Sequence, residues 1–329
     1  MKKKIFLLFI CLLPLLLFSA CGKQSGDRSG TGDPRLRIVA AIFPAWDWAK
    51  NILGENPADA ELTLLLDNGV DLHSFQPSVE DILTISTADL FIYVGGESDR
   101  WVTDALKQAK NPDMHVIRML DVIGEAAREE ELKEGMQAEP EPEEEAGLDE
   151  HIWLSLRNAS VICDAVAAEL SALDPSHASI YKANAAAYQA KLDELDQAYR
   201  LAVSESPLKT LLFGDRFPFR YLVEDYGLDY YAAFSGCSAE TEASFETIKF
   251  LSQKAGELSL PAVLTIDGTD HRIAETIIRN TQGKTPQILT LDSMQSVSAK
   301  DIENGAAYLS IMEKDLEILK QALQPEENQ

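Results

Sequence analysis

Apolar residues in this chain fall in short blocks separated by longer amphipathic stretches, and the alternation occurs twice. In the first half the blocks lie at 36–42, 62–66, 90–94 and 115–120 and are rich in Leu, Ile and Val. Such runs predict strands buried on both faces. Helices are predicted between them at 47–53 and at 78–86, where Pro77 and Ser78 supply the start signals. The pattern returns after residue 208, with strands predicted at 210–213, 229–233, 262–266 and 287–291 and helices at 219–225, 245–257 and 273–280. Repeated strand–helix units of this kind imply an α/β fold of two lobes, each a mainly parallel sheet flanked by helices.

A different pattern joins the two sets. Residues 174–204 are Ala-rich, with Asp174 placed to cap a helix and Pro175 at its first position. About thirty residues at 1.5 Å rise make a rod of roughly 45 Å, long enough to run along both lobes. Its apolar positions, among them Tyr188, Leu192, Leu195 and Tyr199, hold no sustained heptad, which favours a rigid connection over a coiled-coil arm. The expected division is a leader at 1–20, a tether at 21–35, an N-terminal lobe at 36–157, a connecting helical segment at 158–206 and a C-terminal lobe at 207–325.

The amino end sets the compartment. Three lysines precede the apolar run 5–18, which has the length and flanks of a secretory signal. It ends in Phe18-Ser19-Ala20-Cys21-Gly22, which looks like the lipobox of bacterial lipoproteins, with Cys21 the acylated residue and the Gly/Ser-rich stretch after it a flexible tether. A cleaved signal with a chance cysteine and a single membrane span are the competing readings.

The net charge of −25 excludes a nucleic-acid partner, since a polyanion would be repelled and no basic stripe is visible. Much of the excess sits at 129–150, where Glu dominates and Pro140 and Pro142 break helix, so a mobile acidic loop is expected. Two roles stay open for it: a collector of divalent cations, or a solvated loop that binds nothing. With Cys11 in the leader and Cys21 lipidated, Cys163 and Cys237 remain, and whether they pair is open.

Among only five histidines, His73 and His151 occupy similar settings, each beside acidic residues at the end of an apolar run. Imidazole is a common ligand of borderline metals, so the pair invites a metal reading. The segments Ile38-Val39-Ala40-Ala41-Ile42-Phe43-Pro44, His73-Ser74-Phe75-Gln76-Pro77-Ser78, Ala88-Asp89-Leu90-Phe91-Ile92-Tyr93-Val94-Gly95, His151-Ile152-Trp153-Leu154-Ser155, Asp174-Pro175 and Tyr226-Gly227-Leu228 together resemble the zinc/manganese-type substrate-binding lipoproteins of bacterial ABC transporters. The resemblance covers nearly all of the chain after the leader. It implies two lobes joined by one long helix, a metal held in the cleft between them, and His73 and His151 as ligands from the first lobe.

The second lobe departs from that pattern. Where the family places a His or Glu ligand this chain has Arg216, whose guanidinium has no lone pair to donate. Neighbouring Asp215 is the nearest substitute, with the competing reading that it is a turn acid. For the fourth ligand the resemblance points to a carboxylate after the strand 262–266, and Asp267 stands at the strand end, with Asp270 and His271 as alternatives. Two imidazoles with one or two carboxylates suit Zn2+ first, with Mn2+ or iron as alternatives.

Such a closed sphere holds an ion without leaving a position for an activated water, so carriage is favoured over catalysis. A metal-dependent hydrolase would need an HExxH-type helix or a general base that is not visible. An adhesin or scaffold lipoprotein with a structural metal is a further alternative. The resemblance implies an extracytoplasmic monomer, lipid-anchored to the cell membrane, that delivers its ion to an ABC-transporter permease.

Overall fold

The computed structural model describes residues 35–55, 59–137, 147–238, 242–283 and 285–324. The expectations for the leader, for Cys21 and for nearly all of the tether lie outside the described residues. The first half builds β1 (Arg37–Ala40), α1 (Phe43–Leu53), β2 (Glu61–Leu64), α2 (Val79–Ser86), β3 (Leu90–Tyr93), α3 (Val102–Leu106), β4 (His115–Arg118) and α4 (Met119–Ile123). The four strands form one parallel sheet in the order β2-β1-β3-β4, with Val39 opposite both Thr63 and Phe91 and Phe91 opposite Val116. Ser78 starts α2 as expected, its hydroxyl accepting from Asp81 N while the Asp81 carboxylate accepts from Ser78 N.

Two antiparallel helices follow, α5 (Leu156–Leu173) and α6 (Ala178–Glu205). The long rod is α6, whose 28 residues span about 42 Å at 1.5 Å per residue. It starts later than the capping pattern implied. Asp174 closes α5 instead, and its carboxylate accepts from Tyr181 Oη at 2.7 Å and contacts His177 Nδ1 at 2.6 Å, so it builds the corner between the helices.

The second half builds β5 (Thr210–Phe217), α7 (Arg220–Tyr226), β6 (Asp229–Ser235), α8 (Phe245–Glu257), β7 (Ala262–Ile266), α9 (Arg272–Asn280), β8 (Gln287–Leu291), α10 (Ala299–Glu303) and α11 (Tyr308–Leu323). Its strands form a second parallel sheet, β6-β5-β7-β8. The register of β5 against β6 slips between Phe213 and Arg216. The slip falls at Gly214, where a Cβ would stand 2.6 Å from Ala274 Cα, so only glycine lets α9 lie this close to the strand.

The last helix returns to the first half. Tyr308, at the start of α11, donates to Trp153 O at 2.6 Å and packs edge-on against Trp48 of α1 at 5.1 Å. Trp48, Trp153, Tyr199 and Tyr308 are all fully buried, and one apolar cluster runs through both sheets and α1, α5, α6 and α11. In both sheets the carboxyl ends of the strands carry the loops discussed next, the usual place for ligand binding in open parallel sheets.

Candidate metal centre

His73 sits in a single 3-10 turn, Leu72–Ser74, after β2. Asp71 starts the turn, its Oδ1 accepting from His73 N at 2.9 Å, while His73 Nδ1 lies 2.8 Å from Ser98 Oγ. His151 immediately precedes a second such turn, Ile152–Leu154. Asp149 Oδ1 accepts from His151 N at 2.8 Å and contacts its Nδ1 at 2.9 Å. The His151 ring also packs against Trp153, whose indole N–H donates to Ser293 O at 2.9 Å. Each Nδ1 is thus engaged, which turns each Nε2 toward the other ring.

The two Nε2 atoms lie 3.2 Å apart. Two donors on a tetrahedral ion at 2.0–2.1 Å are separated by about 3.3 Å, so the histidines already stand at the edge length of a zinc coordination sphere. Without an ion the same distance is a hydrogen bond, in which one ring donates to the other's lone pair. Burial and the neighbouring His151 charge push His73 down to about 3. Burial acts in the same direction on His151, but the Asp149 carboxylate together with Glu130 and Glu150 raises that residue. A metal ion binding between the two Nε2 atoms must compete with any proton held there.

The second lobe brings Cys237 to this pair. Cys237 lies two residues past the end of β6, and among the described residues its Sγ, with the donor nitrogens of His73 and His151, forms a group whose atoms all lie within 4.8 Å of one another. Gly236 makes the approach possible, because a Cβ there would stand 2.9 Å from His151 Cε1 and 2.9 Å from Phe217 O. Cys237 N donates to Glu130 Oε1 at 2.8 Å. Burial, with Glu130, Glu150 and Asp149 nearby, raises the thiol well above its ordinary value.

Two further buried atoms border the histidines. Gln295 Nε2 lies 3.4 Å from His73 Nε2, while Gln295 Oε1 has no hydrogen-bond partner. Glu150 Oε1 accepts from Ser98 N at 2.7 Å, and its unbonded Oε2 lies 3.7 Å from His73 Nδ1. Buried oxygens without donors mark a place where positive charge is accepted.

The two carboxylates singled out from the second lobe are not gathered with the histidines. Asp215 Oδ1 accepts from Arg216 N at 2.9 Å, and Oδ2 accepts from Thr269 Oγ1 at 2.8 Å and Ile266 N at 3.2 Å, which ties the β5 bulge to the end of β7. Asp267 accepts from Ser293 N, Ser293 Oγ and Ser296 Oγ, at 2.7, 2.8 and 2.8 Å. Both work as loop braces. Asp270 is exposed and paired with Arg272, and His271 opens α9 at φ 58°. Arg216 pairs across the lobes with Asp71 at 2.7 Å, beside a cleft of about 430 Å3 that Asp215, Thr269 and His271 also line.

The described first part of the acidic segment, 129–137, is likewise placed otherwise than its composition suggests. It lies along the second lobe as a strap. Arg128 N donates to Tyr221 Oη at 3.0 Å and Arg128 Nε to Glu224 at 2.7 Å, while Glu131 pairs with Arg220 and Lys133 with Asp229. Gln137 N donates to Ala233 O at 2.9 Å and Gln137 Oε1 accepts from Ser244 N at 2.7 Å, so the strap covers the open edge of β6. Residues 138–146 lie outside the described residues. Cys163, buried in α5, and Cys237 stand as separate thiols.

Two parallel-sheet lobes, a long connecting helix and a buried histidine pair beside a cleft define a two-lobed protein with a candidate metal site. Residues 38–322 match the family described as zinc-uptake complex component A, periplasmic, and the chain belongs to it. This is a family of transport components, not of enzymes. The chain is 30% identical over 325 residues to the zinc-binding lipoprotein AdcA of Streptococcus pneumoniae, covering 98% of this chain and 62% of that one. The chain thus spans about three fifths of the AdcA sequences it matches. It is 28% identical to the high-affinity zinc uptake system protein ZnuA of Bacillus subtilis, covering 98% and 99% of the two chains. Among solved structures, the Zn(II)-bound ZnuA-like domain of Streptococcus pneumoniae AdcA superposes with a TM-score of 0.69 at 27% identity, over 88% of this chain and 99% of that one.

Proposed function

We propose that this protein is the extracytoplasmic receptor of a metal-uptake system, capturing Zn2+ between its lobes and handing it to an ABC-transporter permease. The observation that carries the reading is the 3.2 Å separation of His73 Nε2 and His151 Nε2, each ring oriented by its own hydrogen bond at Nδ1. On this reading His73 and His151 are the first lobe's ligands, and the ion is cargo to be carried and released. A lipid on Cys21 and the tether 21–35 hold the monomer at the membrane. Among the described residues no helix is long and apolar enough to cross a bilayer.

The test is elemental analysis of the purified chain together with competition titrations of zinc and manganese. One tightly held zinc per chain is the expected result, with manganese weaker. A chain that carries no transition metal and takes up none on titration overturns the proposal.

A further inference from the structure

We infer that Cys237 supplies a thiolate ligand from the second lobe, so that the cargo ion is held by two imidazoles and one sulfur. The inference rests on the receptor reading above and extends it to the identity of the donor across the cleft. Its basis is positional. Among the described residues Cys237 alone joins the two histidines within 4.8 Å as a metal-ligand group, and Gly236 before it runs so close to the His151 ring that an added Cβ would stand 2.9 Å from Cε1. The other second-lobe candidates are committed elsewhere: Asp215 and Asp267 to backbone and hydroxyl donors, Arg216 to Asp71.

A second observation points to an ion at the same place. Gln295 is 6% exposed, its amide faces His73 Nε2, and its Oε1 has no partner. The amide nitrogen and oxygen exchange places by a half-turn of the terminal torsion, which would present the oxygen to a cation beside the histidine. Glu130 Oε1 accepts from the Cys237 backbone N–H at 2.8 Å, which helps hold that residue in place.

The consequence is selectivity. On binding, the Cys237 S–H proton leaves and a metal–sulfur bond forms, with no change of oxidation state. One thiolate among nitrogen donors makes the site softer, favouring zinc and cobalt over manganese more strongly than a carboxylate in that place would.

The experiment titrates the purified, reduced chain with Co2+ and reads its near-ultraviolet spectrum, followed by competition with Zn2+ and Mn2+, for the wild type, Cys237→Ser, Cys237→Ala and His73→Ala. Circular dichroism confirms that each variant is folded. The wild type is expected to show a thiolate-to-cobalt charge-transfer band that both Cys237 variants lack, and Cys237→Ala to lose zinc affinity by about 100-fold or more while losing less for manganese. Bound zinc should also slow alkylation of Cys237 by iodoacetamide, read at that residue by mass spectrometry. Metal binding without the band, with wild-type zinc affinity in Cys237→Ala, overturns this inference and leaves the receptor reading standing. A wild type that binds no metal overturns both.

Discussion

The two halves of the proposed metal centre are built on different length scales. In the first lobe each histidine is held by an aspartate two residues before it, Asp71 for His73 and Asp149 for His151, within single turns. In the second lobe Cys237 is fixed by Glu130, 107 residues away, and Gln295 reaches His73 across 222 residues. A donor held by its own turn keeps its geometry wherever that turn goes, whereas a donor held by distant segments exists only once the lobes have assembled. The first half is therefore expected to tolerate rearrangement of the fold around it, and the second half to report on that assembly.

Substitutions that sort site from scaffold probe this contrast. The largest effect should come from His73→Ala, which removes a donor whose ring lies at the cleft: zinc affinity is expected to fall by about 1000-fold, roughly 4 kcal/mol, with little change in thermal unfolding. Near-native affinity in a chelator competition assay would show that the paired imidazoles are not a binding site. Asp267→Ala should act mainly on the scaffold, because it strands the Ser293 amide and hydroxyl and the Ser296 hydroxyl. A loss of about 2–3 kcal/mol in denaturant unfolding is expected, with zinc affinity changed less than about tenfold. A collapse of affinity at unchanged stability would return Asp267 to the ligand set.

Gly135→Val tests the strap, since a Cβ there would overlap the Phe250 ring and φ is 89°. It should cost about 1–3 kcal/mol and speed amide exchange at Ala233 and Gln137, while the turns carrying His73 and His151 keep their protection. Equal loosening on both sides would mean that the two halves share one support. The smallest effect belongs to the interlobe pair Arg216–Asp71, with side chains 18% and 24% exposed. A double-mutant cycle on unfolding should give a coupling of about 1 kcal/mol or less.

What the sequence disclosed follows the same division. Strands and helices with apolar periodicity were legible, as were the two histidine turns, because their signals lie within a few consecutive residues. The start of α6 was misplaced because Asp174 and Pro175 form a start signal on their own, while the corner built by His177 and Tyr181 delays the helix to Ala178. The sequence leaves the pairing of Cys237 with Cys163 open, since a lone thiol after a strand has no local pattern that points to a metal. The available hint was its position behind Gly236 at the carboxyl end of a parallel strand. The first, described part of the acidic segment read as solvated because the basic partners of its glutamates lie far along the chain, such as Arg220 for Glu131 at a separation of 89 residues. Asp215 and Asp267 had the right chemistry, but nearby hydroxyls and amides claimed their oxygens.

The strap at the edge of β6 is also a latch. Separating the lobes pulls on the bonds from Arg128 to Tyr221, from Cys237 to Glu130 and from Gln137 to Ala233, each worth about 1 kcal/mol net. A fastening of that strength holds against thermal fluctuation yet yields to the few kcal/mol that a docking protein supplies. Its middle bond ends on the residue that carries the thiol, so undoing the latch and loosening one side of the ion's cage would be a single mechanical event.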